Sequence, residues 1–91
     1  MSDERSGQIT VTTAGTEVQG PATRGAWWAI KGHPSNTGQI YVGNVGATVS
    51  STTVFTLAAG DIVYIRIHSL DALWFDSSVN GEKAVWLSVM K

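Results

Sequence analysis

Apolar residues recur at every second position along most of this chain, which is the pattern of β-strands that bury one face. In residues 62–68, Val63, Ile65 and Ile67 alternate with a second set of side chains that is partly apolar and partly charged. No segment of ten or more residues places apolar residues at helical spacing. The predicted strands comprise residues 8–13, 17–19, 24–31, 39–43, 52–57, 62–68, 72–76 and 83–90.

Glycine-rich turns separate these short strands, so the sequence predicts an all-β fold. We expect a small antiparallel β-sandwich or barrel, jelly-roll-like, with about seven or eight short strands. A jelly roll, an immunoglobulin-like sandwich and a small barrel stay open as alternatives at this size. Residues 58–61 predict a tight turn, and Asn80-Gly81, between two strand-like segments, predicts a β-hairpin.

The adjacent pair Trp27-Trp28 is the most informative feature of the predicted strands. Neighbouring side chains of a strand point to opposite faces, so one indole enters the core and the other faces outward. An indole that becomes covered buries roughly 150–250 Å², which is worth about 4–6 kcal/mol at about 25 cal/mol per Å². The outward indole therefore indicates a partner surface. The alternative is a sheet edge at which a neighbouring loop covers both faces.

A second strand also predicts an interface, because the face opposite Val63 and Ile65 mixes apolar and charged side chains. In the last strand, Val85, Leu87 and Val89 face one way and Trp86 the other. The candidate residues for contact with another subunit or another protein are Trp27, Trp28, Tyr64, Arg66 and His68.

The length of 91 residues allows one domain with a single core. Residues 1–7 are polar and end in glycine, so we expect a flexible N-terminal arm followed by a single β domain in residues 8–91. Charged residues make up 14% of the chain, below the roughly 25% of typical soluble domains, which favours a surface partly hidden in an assembly.

The net charge of −1 and the scattered Lys and Arg residues argue against nucleic-acid binding. The chain has no Cys, so disulfides and thiolate metal sites are excluded. Its beginning lacks the apolar core of a signal peptide, and no apolar stretch approaches the ~20 residues of a membrane span. We expect a protein that is made in a cytoplasm and does not insert into a membrane.

Candidate catalytic and metal-binding residues are few. His33 and His68 have no recognisable ligand spacing for a metal. Asp71 and Asp76 could form a carboxylate pair for glycoside hydrolysis, but acidic residues at strand ends are more often turn formers. No nucleophile-elbow pattern is present, and the glycines of residues 43–46 precede no helix. We therefore expect no enzyme activity, no cofactor and no metal.

A carbohydrate-binding module is the main alternative from another functional class, because the faces of the four Trp rings could stack on sugars. However, Trp27-Trp28 and Trp74-Phe75 are adjacent pairs, and each pair divides between opposite faces. At most half of these rings could share one platform, and core packing accounts for the others.

Residues 36–43, Asn-Thr-Gly-Gln-Ile-Tyr-Val-Gly, resemble a pattern in small proteins of tailed bacteriophages. In those proteins an Asn-Thr-Gly loop leads into a strand that ends in Val-Gly. Later segments that resemble the same proteins are residues 57–61, 70–76 and 79–86. The order matches from about Ile9 to Leu87, and the succession is more specific than any single motif. The pair Trp27-Trp28 is not part of the pattern.

The resemblance implies a structural protein of the virion, such as a head decoration (cement) protein, or less often a head-fibre or tail-associated protein. Decoration proteins of this size are commonly β-rich trimers that bind the assembled head. The resemblance thus implies a homotrimer, the major capsid protein as partner, and a virion location. It carries no catalytic residues.

Overall fold

A computed structural model describes residues 6–44 and 55–90 of the chain. This part folds into two antiparallel four-stranded sheets and one short 3-10 helical turn, Leu70–Ala72. The all-β prediction is therefore confirmed, and the layers form a sandwich. The strands are β1 (Ser6–Val11), β2 (Val18–Gln19), β3 (Trp27–Gly32), β4 (Ile40–Gly43), β5 (Phe55–Leu57), β6 (Ile62–Arg66), β7 (Trp74–Ser77) and β8 (Glu82–Met90).

The order of the strands identifies the sandwich as a jelly roll. Sheet A has the order β1-β8-β3-β6, and sheet B has the order β2-β7-β4-β5. Four pairs are nested along the sequence: β4 with β5, β3 with β6, β2 with β7 and β1 with β8. This nesting is that of one long hairpin rolled on itself, and the rolling adds the pairs β3 with β8 and β4 with β7.

The core lies between the two sheets and is built from the alternate residues of each strand. Trp28 and Trp86 meet at its centre with ring centroids 5.6 Å apart and planes inclined at 69°. This edge-to-face arrangement is the one that aromatic quadrupoles favour. The other buried apolar residues are Ile9, Val11, Ile30, Ile40, Val42, Leu57, Leu70, Leu73, Phe75 and Ala84.

Strand β1 begins earlier than the sequence predicts. Ser6 pairs with Leu87 and Gly7 pairs with Trp86, so residues 6–7 belong to sheet A and the arm predicted over residues 1–7 is wrong there. Gly7 lies against the Trp86 indole, where an added Cβ would come within 2.8 Å of the ring. Glycine is therefore required at a strand position that its low β-propensity argues against. Residues 1–5 lie outside the described residues.

The hairpin predicted at Asn80-Gly81 is also wrong. The turn forms and Gly81 has a positive φ of 82°, but it connects β7 of sheet B to β8 of sheet A. The Gly81 N–H donates to the carbonyl of Val11, and Asn80 Oδ1 accepts from the Ala14 N–H. An Asn-Gly turn specifies a local reversal of the backbone but does not determine which strands pair.

Smaller differences concern strand ends. The strand predicted over residues 24–31 begins at Trp27 in the structure. Before it, Arg24 forms an isolated bridge with Ser69. The turn predicted at residues 58–61 is present, with the Asp61 N–H donating to Ala58 O and Asp61 Oδ2 accepting from the Ala58 N–H. Residues 52–54 of the fifth predicted strand lie outside the described residues.

Candidate interaction face

The two adjacent tryptophans occupy opposite faces of β3, as predicted. Trp28 is fully buried, and its Nε1–H donates to the carbonyl of Ile67 at 2.9 Å. Trp27 is 37% exposed on the outer side of sheet A. The outward indole is therefore Trp27. Trp28 is wrong as a candidate contact residue, because it already has core neighbours and a hydrogen-bond partner inside the domain.

The strand register brings three of the predicted residues together. Trp27 pairs directly with Arg66, and Ala29 pairs with Tyr64. Residues that pair directly point to the same side of a sheet. Trp27, Tyr64 and Arg66 therefore share the side of sheet A that faces away from the core, which we call the outer face of sheet A.

The same face extends across β8, which sequence reasoning did not include among the candidate contacts. Leu87 pairs with Ala29, and Val85 pairs with Lys31. Trp27 pairs with Met90 and Trp28 with Ser88, so Val89 is the extra residue of a β-bulge at this point. The outward positions of the four strands are Ser6, Gln8 and Thr10 on β1, Trp27, Ala29 and Lys31 on β3, Ile62, Tyr64 and Arg66 on β6, and Lys83, Val85, Leu87 and Val89 on β8.

Most of the exposed apolar surface is concentrated on this face. Of the seven large apolar side chains exposed in the described part of the chain, five lie on it. These are Trp27, Ile62, Tyr64, Leu87 and Val89, with exposed fractions from 37% to 61%. Single exposed apolar residues are normal on a protein surface, whereas a contiguous group makes this face the candidate interaction site.

His68 lies one register step beyond the outward positions of β6. It lies beyond the end of β6 and is exposed. With Ala26, Arg66 and Ile67 it lines a shallow pocket of about 230 Å³. Its carbonyl accepts from the Gly25 N–H, which continues the pairing of β3 and β6 by one step. His68 thus lies next to the face, at the Arg66 corner.

The charges on the outer face of sheet A are of one sign. Lys31, Arg66 and Lys83 occupy outward positions, and none of the outward positions carries a carboxylate. The two acidic side chains on the inner sides of the strands have structural partners. Glu82 accepts from the Gly38 N–H, and Asp76 accepts from the N–H groups of Gly15 and Ser77.

Two of the residues considered for chemistry, His33 and Asp76, accept hydrogen bonds within the fold. His33 Nδ1 accepts from the Ser35 N–H at 3.0 Å, and Asp76 is 5% exposed with its Oδ1 occupied. Among residues 6–44 and 55–90, no three His, Asp or Glu side chains come together as metal ligands would. Within the same residues, no helix has the length and apolar character that a membrane crossing requires.

The Asn-Thr-Gly loop joins the two sheets. The Asn36 side chain pairs with the backbone of Lys83, donating from Nδ2 to its carbonyl at 2.8 Å and accepting at Oδ1 from its N–H at 3.0 Å. Gly38 has no room for a side chain, because a Cβ would overlap Ser78 Oγ and approach Val79 within 2.7 Å. These motif residues therefore fix the loop before β4 to the start of β8.

Comparisons with protein-family models, with curated proteins and with solved structures gave no significant match for this chain.

Proposed function

We propose that this protein is a structural protein of a bacteriophage virion that binds the assembled head and stabilises it. The observation that carries the proposal is the outer face of sheet A, where five large apolar side chains are exposed together. The resemblance of the motif order to small phage proteins supports the virion context. A jelly roll is compatible with this role, since viral capsid domains use it, but the fold alone does not determine function.

The size of the face favours attachment to a repeating lattice. Three strand spacings make it about 14 Å wide, and five residues make it about 17 Å long. The area that these two dimensions enclose is well below the roughly 800 Å² of buried surface per partner in a standard stable interface. One contact of this size is weak by itself. A homotrimer would present three such faces, and linked contacts on a lattice strengthen one another through effective concentration.

The experiment uses heads of the phage whose genome encodes this chain, prepared with and without the protein. We expect deficient heads to assemble but to release DNA at a lower temperature, and added purified protein to restore the complete-head value. Binding to the assembled lattice stabilises it by RT ln(1 + [L]/Kd) per site. Equal heat resistance of deficient and complete heads, or copurification with tails alone, would contradict the proposal.

A carbohydrate-binding module is the second candidate, because Trp27 and Tyr64 are diagonal neighbours on one exposed face. Trp28 and Trp86 are buried in the core and are lost to any such platform. We expect no binding on a broad glycan array. A reproducible signal that disappears in Trp27→Ala and persists in Phe55→Ala, an exposed aromatic of sheet B, would favour this candidate instead.

A further inference from the structure

The outer face of sheet A combines apolar side chains with charges of one sign. Three of the chain's six Lys and Arg residues, Lys31, Arg66 and Lys83, lie at its outward positions. Asp61, in the turn before β6, uses Oδ2 to accept from the Ala58 N–H. Over the described strands, the face is thus an apolar surface that carries positive charge and has no outward carboxylate.

A second copy of the chain is a poor occupant of this face. If two copies met through the same face, their interface would contain six cations and no opposite charge on the described strands. Like charges brought together at an interface cost several kcal/mol and act against a wrong partner. A symmetric self-contact is therefore disfavoured, although a different surface of the same chain could still join subunits.

Nucleic acid fits the face less well than protein does. Phosphate recognition uses grouped cations, whereas here only Lys31 and Lys83 are neighbours, diagonally across β3 and β8, and Arg66 lies at the other end of the face beside Trp27. Val85 lies between Lys31 and Gln8 of β1, and Ile62 pairs directly with Lys31. Three cations also neutralise too few phosphates for strong binding at physiological salt. Aliphatic side chains with interspersed cations match an apolar protein surface that carries carboxylates.

We propose that the occupant of the outer face of sheet A is an acidic, apolar surface patch of a different protein. The identification of that protein with the subunits of the head lattice rests on the proposed function. The apolar side chains supply the contact, and Lys31, Arg66 and Lys83 select the partner by its charge and accelerate association.

The test compares three forms of the full chain in sedimentation with phage heads. The first is the wild type, the second carries Lys31→Glu, Arg66→Glu and Lys83→Glu, and the third is the matched control Lys31→Arg, Arg66→Lys and Lys83→Arg. We expect the charge-reversed form to bind heads at least about tenfold more weakly, and the matched control to bind within about twofold of wild type. Thermal unfolding of each form verifies that it is folded.

Ionic strength provides a second measurement that needs no variant. We expect wild-type binding to weaken about tenfold between about 0.05 M and 0.5 M salt, because exposed charges are screened over the Debye length. If charge reversal prevents folding, this salt dependence and the single change Arg66→Glu, on edge strand β6, decide the question.

The outcomes distinguish the two proposals. Wild-type protein that does not bind heads overturns both. Binding that resists salt and charge reversal overturns the acidic partner and leaves the proposed function intact. Charge reversal that dissolves the oligomer in analytical ultracentrifugation would show that a second copy covers the face. Wild-type binding to a single-stranded oligothymidine that the reversal abolishes would show that the partner is nucleic acid.

Discussion

Trp27 and Trp28 are adjacent in the strand but have different roles, because one indole packs in the core and the other is exposed on the outer face of sheet A. Trp28 is buried against Trp86 and donates to the Ile67 carbonyl, whereas Trp27 is exposed beside Arg66. The sequence predicts that one indole is inside and one outside, but it does not predict which. That choice depends on the register with β6 and β8, and therefore on strands more than 30 residues away in the chain.

We expect Trp28→Ala to lower the free energy of unfolding by about 3–5 kcal/mol, through the cavity and the lost transfer energy. The matched change Trp27→Ala should lower it by no more than about half as much, because this indole is 37% exposed and its removal leaves no enclosed cavity. Urea unfolding followed by circular dichroism measures both. Equal losses for the two variants would contradict the placement of the indoles.

At the scale of elements, alternation predicts most strands but not how they pair. The strands around Val63 and Val85 were predicted with the correct alternation. The partner of each strand depends on rolling the nested pairs into two sheets, which no local pattern encodes. The turn at Asn80-Gly81 shows this, since its backbone reversal was predicted correctly and its pairing was not.

Asn36 connects the loop before β4 to β8 through both polar atoms of its side-chain amide. We expect Asn36→Ala to reduce the free energy of unfolding by about 1–3 kcal/mol, because it leaves the Lys83 backbone groups without these partners. Asn36→Asp keeps the acceptor for the Lys83 N–H but places an oxygen against its carbonyl. It should therefore also be destabilising, and Thr37→Ala in the same loop provides the control. Stabilities of Asn36→Ala and Asn36→Asp equal to wild type would contradict the role of Asn36.

The start of β1 makes a prediction for truncation. Deletion of residues 2–5 should leave the unfolding temperature within about 2 °C of wild type, because β1 keeps all its pairs from Ser6 onward. Deletion of residues 2–7 should lower it further, since it removes the pairs with Leu87 and Trp86 and uncovers the indole that Gly7 lies against. Differential scanning calorimetry compares the two. If the two deletions give identical unfolding temperatures, Ser6 and Gly7 do not stabilise the domain and its first stabilising residue is Gln8.

At the scale of the whole molecule, the small core favours assembly into an oligomer. A domain of this size buries about 60–65% of its unfolded surface, which leaves limited stability for a monomer. We expect light scattering at micromolar concentration to give a mass near three times 9.7 kDa. The charge-reversed form should give the same mass if subunits join through another surface. If the wild-type protein is a monomer, the homotrimer in the proposed function is wrong.

The proposed attachment to heads predicts the effect of a variant that binds them with lower affinity. Trp27→Ala removes the outward indole of the face while leaving the core tryptophan in place. Stabilisation by a bound protein depends on the ratio of its concentration to Kd. The variant should therefore require a higher concentration than wild type to reach any given DNA-release temperature of deficient heads, and its curve should have the same shape displaced along the logarithmic concentration axis. Measuring release temperature against protein concentration for both forms tests this. A variant curve that differs from wild type in slope, and not only in position along that axis, would mean that Trp27 acts in the bound lattice itself and not through affinity alone.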